Sequence, residues 1–165
     1  MTLTFKLRDF FVPRINILKE VGIKEGFWVL EYGCGSGSYI SALAELVGKS
    51  GKIYALDIHP LAVKMVENLV AKKQLGNVQT ILSDCKTGLP NESLNVVLLY
   101  DVIHGLSELN EILKELHRIV KPNGILSVSD HHLKESMIVS KVTSCGLFKL
   151  LKKGKRAYSF LRNEQ

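Results

Sequence analysis

Three glycines at alternate positions in Glu31-Tyr32-Gly33-Cys34-Gly35-Ser36-Gly37 follow the apolar run Phe27-Trp28-Val29-Leu30 and lead straight into a helix-patterned segment. A strand, a bare loop and a helix in that order make half of a βαβ unit. Without Cβ atoms the loop can take φ > 0 and expose its N–H groups, so a ligand can lie against main chain at the helix N-terminus. The spacing narrows which ligand. A dinucleotide loop follows G-x-G-x-x-G, yet the sixth position counted from Gly33 is Ser38, and the third glycine arrives one residue early at Gly37. Glu31, two places before Gly33, would repel a pyrophosphate and welcome a cationic, amino-acid-bearing ligand. A turn that merely closes a βαβ unit seldom needs three glycines.

At 165 residues the chain is one domain, large enough to bury about two-thirds of the surface of its unfolded form. No apolar run approaches the roughly 18 residues of a spanning helix, so no membrane span is expected. The start, Met1 to Asp9, carries charges where a secretory segment would be apolar, and a cytoplasmic setting follows. Cys34, Cys85 and Cys145 are an odd set without C-x-x-C spacing and read as reduced thiols. The formal net charge of +6 is densest at Lys149, Lys152, Lys153, Lys155 and Arg156. Such a patch can steer anionic partners, but it lacks interleaved aromatics, so nucleic acid is possible and not favoured.

Helical and strand periodicities alternate along the whole chain, with no repeat and no low-complexity linker. Arg14 to Val21 reads as a leading helix ended by Gly22, and Phe27 to Tyr32 as the first strand. Ile40, Leu43, Ala44 and Val47 form a helical stripe closed by Gly48, and Lys52 to Asp57 form a second strand. Pro60 opens a helix whose Ala62, Met65, Val66, Leu69 and Val70 have the spacing of a buried face. Val78 to Leu82 is a third strand, and the wholly apolar Val96 to Tyr100 suits the centre of a parallel sheet. Leu109, Ile112, Leu113, Leu116 and Ile119 mark a helix expected to stop in a turn at Lys121-Pro122-Asn123-Gly124. Ile125 to Ser129 is a fifth strand, Lys134 to Ser144 a helix ended by Gly146, and Leu147 to Leu151 and Ala157 to Leu161 are two final strands. This order specifies a doubly wound α/β sheet with its ligand crevice at the carboxyl ends of the strands.

Glu31 with the glycine loop, Asp57, Asp84 and Asp101 each stand at or just past the end of one of the first four strands. Four carboxylates on one rim of a basic protein repel one another unless hydroxyls, amines or a cation satisfy them. Asp57, about twenty residues past the loop, is placed to accept two hydrogen bonds from a ribose diol. The competing role, N-cap of the Pro60 helix, suffers from standing three residues before the proline.

These residues resemble a family. The glycine loop, Asp57 after Tyr54-Ala55-Leu56, Ser83-Asp84-Cys85, the Val97-to-Asp101 strand, and Leu116 to Leu126 with its Lys121-Pro122-Asn123-Gly124 look like the successive motifs of class I S-adenosylmethionine-dependent methyltransferases, from about Arg14 to Leu161. The resemblance implies a Rossmann-like sheet of seven mostly parallel strands, helices on both faces and the last strand antiparallel. It implies one methyltransferase domain over 1–165, with 1–24 a leading helix or small cap and 25–165 the cofactor core. The cofactor would be S-adenosyl-L-methionine and the product S-adenosyl-L-homocysteine. Glu31 would lie near the methionine ammonium, with Gly33, Cys34, Gly35 and Gly37 beside the cofactor. Asp57 would hold the ribose, Ile58 would follow it along the cofactor, Asp84 and Cys85 would flank adenine, and Asp101 would border the methyl-transfer side. Asn123, where many relatives have glycine, departs from the pattern only in a turn.

Displacement at an activated methyl needs a nucleophile held in line at roughly 3 to 3.5 Å with water excluded. An acceptor hydroxyl or ammonium must also lose a proton, and His104 is the nearest candidate base, though it equally suits the Gly105 turn. His131 and His132, with only Asp130 as a nearby acid, are a weak metal signal, and no metal is expected. Phe5, Phe10, Phe11 and Tyr39 either form an apolar lid or pack on the sheet. The N-P-P-[YF] type motif of nucleobase amine methylation is absent after strand four, where Asp101-Val102-Ile103-His104 stands. A small-molecule acceptor is therefore expected. The alternatives are RNA or another anionic substrate, an NAD-linked oxidoreductase, and a non-catalytic methyltransferase-like subunit.

Overall fold

The computed structural model describes residues 14–164. Among them five α-helices and seven strands follow in order: α1 (Arg14–Val21), β1 (Trp28–Tyr32), α2 (Ile40–Val47), β2 (Lys52–Asp57), α3 (Pro60–Lys73), β3 (Val78–Leu82), β4 (Leu94–Tyr100), α4 (Leu109–Ile119), β5 (Val120–Ser129), α5 (Glu135–Thr143), β6 (Phe148–Lys153) and β7 (Tyr158–Arg162). One sheet takes the order β3-β2-β1-β4-β5-β7-β6. All neighbours run parallel except β7, which is antiparallel to both β5 and β6. The expected sheet, reversed last strand included, is the one observed. The aromatics Phe5, Phe10 and Phe11 lie outside the described residues.

Strand alternation divides the core into two layers. Val29, Ile53, Val96 and Leu98 meet Leu18, Ile40, Leu43 and Val66 on the side covered by α1, α2 and α3. Leu30, Leu56, Val97 and Leu99 meet Leu113, Leu116 and Ile138 on the side of α4 and α5. Tyr39 belongs to the first layer, edge-on to Tyr100 with ring centroids 5.2 Å apart. It packs on the sheet and is not a free lid.

Two local expectations need correction. The Lys121-Pro122-Asn123-Gly124 turn does not separate α4 from the next strand. Extended pairing begins at Val120, opposite Leu94, and resumes with Ile125 opposite Val96, so the four residues bulge out of β5. Proline has no N–H to give the ladder, so a bulge accommodates it without losing a bond. On α3, Met65 is 45% exposed and Val66 is the residue fully buried. The helical stripe is narrower than its spacing suggested because α3 lies over the outer strands β2 and β3, where the sheet offers less to cover it.

The basic residues fall on the sheet's outer edge. Lys149, Lys152 and Lys153 lie on β6, Lys153 pairs with Glu135, and Arg156 lies 3.7 Å from Glu20. Lysines on an edge strand keep another chain from adding to it, which accounts for the cluster without a polyanion.

Candidate active site

The strand order reverses at β1 and β4, and there the chain builds a hollow at the carboxyl ends. Beyond Tyr32 the main chain turns over the end of β2: the Gly33 and Cys34 amides donate to Leu56 O at 2.8 and 2.9 Å. Gly33 has φ +79°, and a Cβ there would collide with Val102, so both conformation and space demand glycine. Gly35, at φ +52°, faces open space instead. Its amide donates to Asp57 Oδ2 at 2.9 Å, while Asp57 Oδ1 accepts the His59 amide at 2.9 Å. Gly37 N donates to Cys34 O. The sequence suggested a loop offering its amides to a ligand, but those of Gly33, Cys34, Gly35 and Gly37 are spent within the protein. The loop offers bare space and close approach, which does not suit a pyrophosphate seeking N–H donors.

Beneath the loop lies Glu31, 3% exposed. Pleating turns it toward the α1 layer. Burial pushes its carboxyl up to about 8; attraction from Arg14 opposes that shift and the nearby Asp57 adds to it. Its Oε2 is buried without a hydrogen-bond partner. Cys34, 3% exposed, has its thiol pushed up to about 12, first by burial and then by Glu31 and Asp57, so it is no nucleophile.

A cavity of about 270 Å³ opens beside the loop. Gly33, Asp57, Ile58, Asp84, Asp101 and His104 all contribute to its wall. Residues from the ends of β1, β2, β3 and β4 thus meet as their positions implied. Cys34, Gly35, Gly37, Glu31 and Cys85 do not line it. Gly37 abuts Val66 and Ile40, and Cys85 leans on the core, its thiol raised chiefly by burial. The wall also includes Tyr32, Ser83, Val102 and Leu106, none of which the sequence singled out as a site residue. Tyr32 Oη donates to Asp84 O at 2.7 Å, fixing the loop after β3. A larger hollow of about 740 Å³ lies at the opposite, amino-terminal edge, between Glu92, Arg118 and Arg162. It contains none of these groups.

On the far wall Asp101 takes the left-handed conformation, φ +55°. Its amide donates to Ser129 O at 2.7 Å, and its Oδ1 accepts from His131 N at 3.1 Å and lies 2.6 Å from His131 Nδ1. A non-glycine residue held there stores strain of about 1 to 3 kcal/mol, a feature that clusters at functional sites. His104, in a single 3₁₀ turn after β4, has Nδ1 2.8 Å from Asp130 Oδ2. The Asp130 side chain is wholly buried. Burial alone would raise its carboxyl, but His104 and the backbone amides of His132 and His104 hold it below the usual carboxylate range. Asp130 escaped the sequence reading as a site residue because its partner His104 is 26 positions away.

The match to known proteins decides the family. Residues 23–165 fit the model described as "Methyltransferase domain". The chain belongs to that methyltransferase-domain family. A demethylmenaquinone methyltransferase of Geobacillus kaustophilus is 30% identical over 113 residues, 68% of this chain and 48% of that protein. A protein-L-isoaspartate O-methyltransferase of Methanococcoides burtonii is 31% identical over 124 residues, 75% of this chain and 59% of that protein. The chain thus spans about half the length of the curated relatives it matches. A crystal structure described as a SAM-dependent methyltransferase from Aquifex aeolicus superposes with a TM-score of 0.82 at 28% identity, covering 94% of this chain and 91% of that chain.

Proposed function

We propose that this methyltransferase domain binds S-adenosyl-L-methionine at the carboxyl ends of β1 to β4 and transfers its methyl group to a small-molecule acceptor, releasing S-adenosyl-L-homocysteine. The observation that carries the reading is Glu31 Oε2, a carboxylate oxygen buried with no partner beneath a loop with open space at Gly35. A buried polar atom without a partner costs about 1 to 3 kcal/mol, and an amino-acid ammonium entering over the loop would satisfy it. The family, and the similarity to the Aquifex protein, support the same cofactor.

In this reading Gly33, Cys34, Gly35 and Gly37 let the cofactor lie against main chain. Asp57 holds the ribose diol through the lone pairs left after it has accepted two backbone amides. Ile58, 57% exposed at the cavity wall, gives the base an apolar surface, with Asp84 and the Cys85 backbone at its edge. A sulfonium methyl is already activated, so the protein's work is to position the acceptor and exclude water. Asp101 and His104 border the acceptor side, and a proton shed by the acceptor leaves by the His104 edge.

Relatives named as demethylmenaquinone methyltransferases support a small-molecule acceptor over RNA. No helix among the described residues is long and apolar enough to cross a membrane. The free thiols Cys34, Cys85 and Cys145 support a reducing, cytoplasmic setting. Incubation with methyl-labelled S-adenosylmethionine and a fractionated cell extract tests the reading. Label should enter a small-molecule fraction; label in RNA would replace the acceptor class, and label in no fraction despite tight cofactor binding would point to a partner-dependent subunit.

A further inference from the structure

We propose that His104, Asp130 and His132 form a binding site for one divalent transition-metal ion at the acceptor side of the cavity. Each offers one ligand atom, and the three atoms lie within 4.8 Å of one another. His104 Nδ1 is 2.8 Å from Asp130 Oδ2, and His132 Nδ1 is 3.5 Å from Asp130 Oδ1. Donors bound to one ion at about 2.0 to 2.2 Å stand about 3 to 3.5 Å apart, and the two nitrogen-to-carboxylate separations, 2.8 and 3.5 Å, bracket that spacing.

The support beneath these groups is already in place. Asp130 is unexposed, and its two oxygens accept the His104 amide at 3.1 Å and the His132 amide at 2.9 Å. Such bonds aim a carboxylate in the way outer-shell contacts orient metal ligands. The rings are crowded: His104 and His132 have centroids 4.1 Å apart, and His131 and His132 3.8 Å. A single cation held between the two imidazoles would match the buried Asp130 carboxylate.

Two imidazoles and one carboxylate favour zinc, cobalt, nickel or ferrous iron over magnesium or calcium, which prefer oxygen throughout. Three protein ligands leave a position open, as at catalytic metal sites. His131 is outside the set, and its Nδ1 lies 2.6 Å from a different carboxylate, Asp101 Oδ1. His104 belongs to the cavity wall, so the ion would sit within reach of an acceptor. Only this last step rests on the methyl-transfer reading: the ion would draw in an acceptor hydroxyl and ease release of its proton to solvent, with His104 then holding the ion and not carrying the proton itself.

The test is calorimetric titration of the chelator-stripped full chain with Zn²⁺, with Co²⁺ as a spectroscopic probe. One ion should bind per chain at micromolar concentration or below, and Co²⁺ should develop visible absorption bands. His132→Ala and Asp130→Asn should each weaken binding at least tenfold, while His131→Ala stays within about threefold. The His132 side chain is 52% exposed, so its removal leaves the fold intact, and circular dichroism checks this. Zn²⁺ should raise the melting temperature of the wild type and not of His132→Ala. Absence of saturable binding, or equal affinity in the wild type and His132→Ala, overturns the site. S-adenosylmethionine titrated in parallel separates the two readings, since cofactor binding without metal binding sinks only the metal proposal.

Discussion

Asp57 accepts the Gly35 amide at 2.9 Å through one carboxylate oxygen and the His59 amide at 2.9 Å through the other. One side chain therefore ties the end of β2 to both the glycine loop and the entry to α3. Asp57→Ala should weaken S-adenosylmethionine binding at least tenfold, about 1.4 kcal/mol, and lower stability by about 1 to 2 kcal/mol as two part-buried amides lose their acceptor. Calorimetry and urea unfolding measure the two effects separately. Unchanged affinity would remove Asp57 from the cofactor site.

Glu31 gives a pH dependence with a definite sign. Its folded-state pKa, about 8, lies well above the ordinary carboxyl value of 4.5. Stability from this group is complete below about pH 4.5 and is lost as pH rises through about 8, because the folded state then gives up a proton it binds more tightly than the unfolded chain does. Glu31→Gln should flatten that loss, making the ligand-free protein more stable than wild type at pH 9. The same change should weaken cofactor binding at that pH by tenfold or more. In the wild type, cofactor affinity should rise with pH up to about 8, since a cationic ligand must displace the proton. Affinity that is flat over this range would contradict the placement of Glu31 beside an ammonium.

Gly33 and Val102 form a tight pair across the loop. Gly33→Ala adds a Cβ that collides with Val102 at φ +79°. We expect a loss of about 2 to 4 kcal/mol, of which roughly 1 kcal/mol is the left-handed backbone and the rest overpacking. Adding Val102→Ala should recover the overpacking share only. A double-mutant cycle by urea unfolding reads the coupling, and strict additivity would show that the two residues do not meet.

Glu115 predicts acid sensitivity from outside the cavity wall. Its Oε1 accepts from Thr87 N and Thr87 Oγ1 at 2.9 and 2.6 Å, and Arg118 donates to both of its oxygens. The Arg118 hydrogen bonds and those from Thr87 outweigh burial and bring the carboxyl down to about 2. Stability from this network is present above about pH 4.5 and lost as pH falls through about 2. Glu115→Gln should cost roughly 1 to 2 kcal/mol at pH 7, after allowance for solvent screening, and much less at pH 2. A pH series of thermal melts measures it.

His104→Ala should lower kcat by about a hundredfold or more while cofactor affinity stays within about threefold. Turnover and calorimetry with the identified acceptor check this together.

Most of the sheet was readable because strand and helix periods alternate without interruption and an apolar strand such as Val96 to Tyr100 suits the buried centre of a parallel sheet. The rim carboxylates were readable because topology places strand ends together. What escaped was set by tertiary contact. Lys121-Pro122-Asn123-Gly124 has turn chemistry, yet its bulging out of β5 depends on Leu94 pairing with Val120. The loop glycines announced close approach, but no spacing reveals that their amides end on Leu56, Asp57 and Cys34. Asp130 gains its meaning from His104, which a whole helix and a whole strand separate from it in sequence.

The central claim is that a cationic nucleoside, held by Glu31 and Asp57 over bare main chain, occupies the carboxyl ends of β1 to β4. Calorimetric titration of the wild type with S-adenosylmethionine and, separately, with NAD tests it most directly. One equivalent of S-adenosylmethionine bound at micromolar concentration or tighter, at least tenfold weaker in Glu31→Gln and Asp57→Ala, with no NAD binding, is the expected result. Tight NAD binding, or S-adenosylmethionine affinity indifferent to both substitutions, would contradict it.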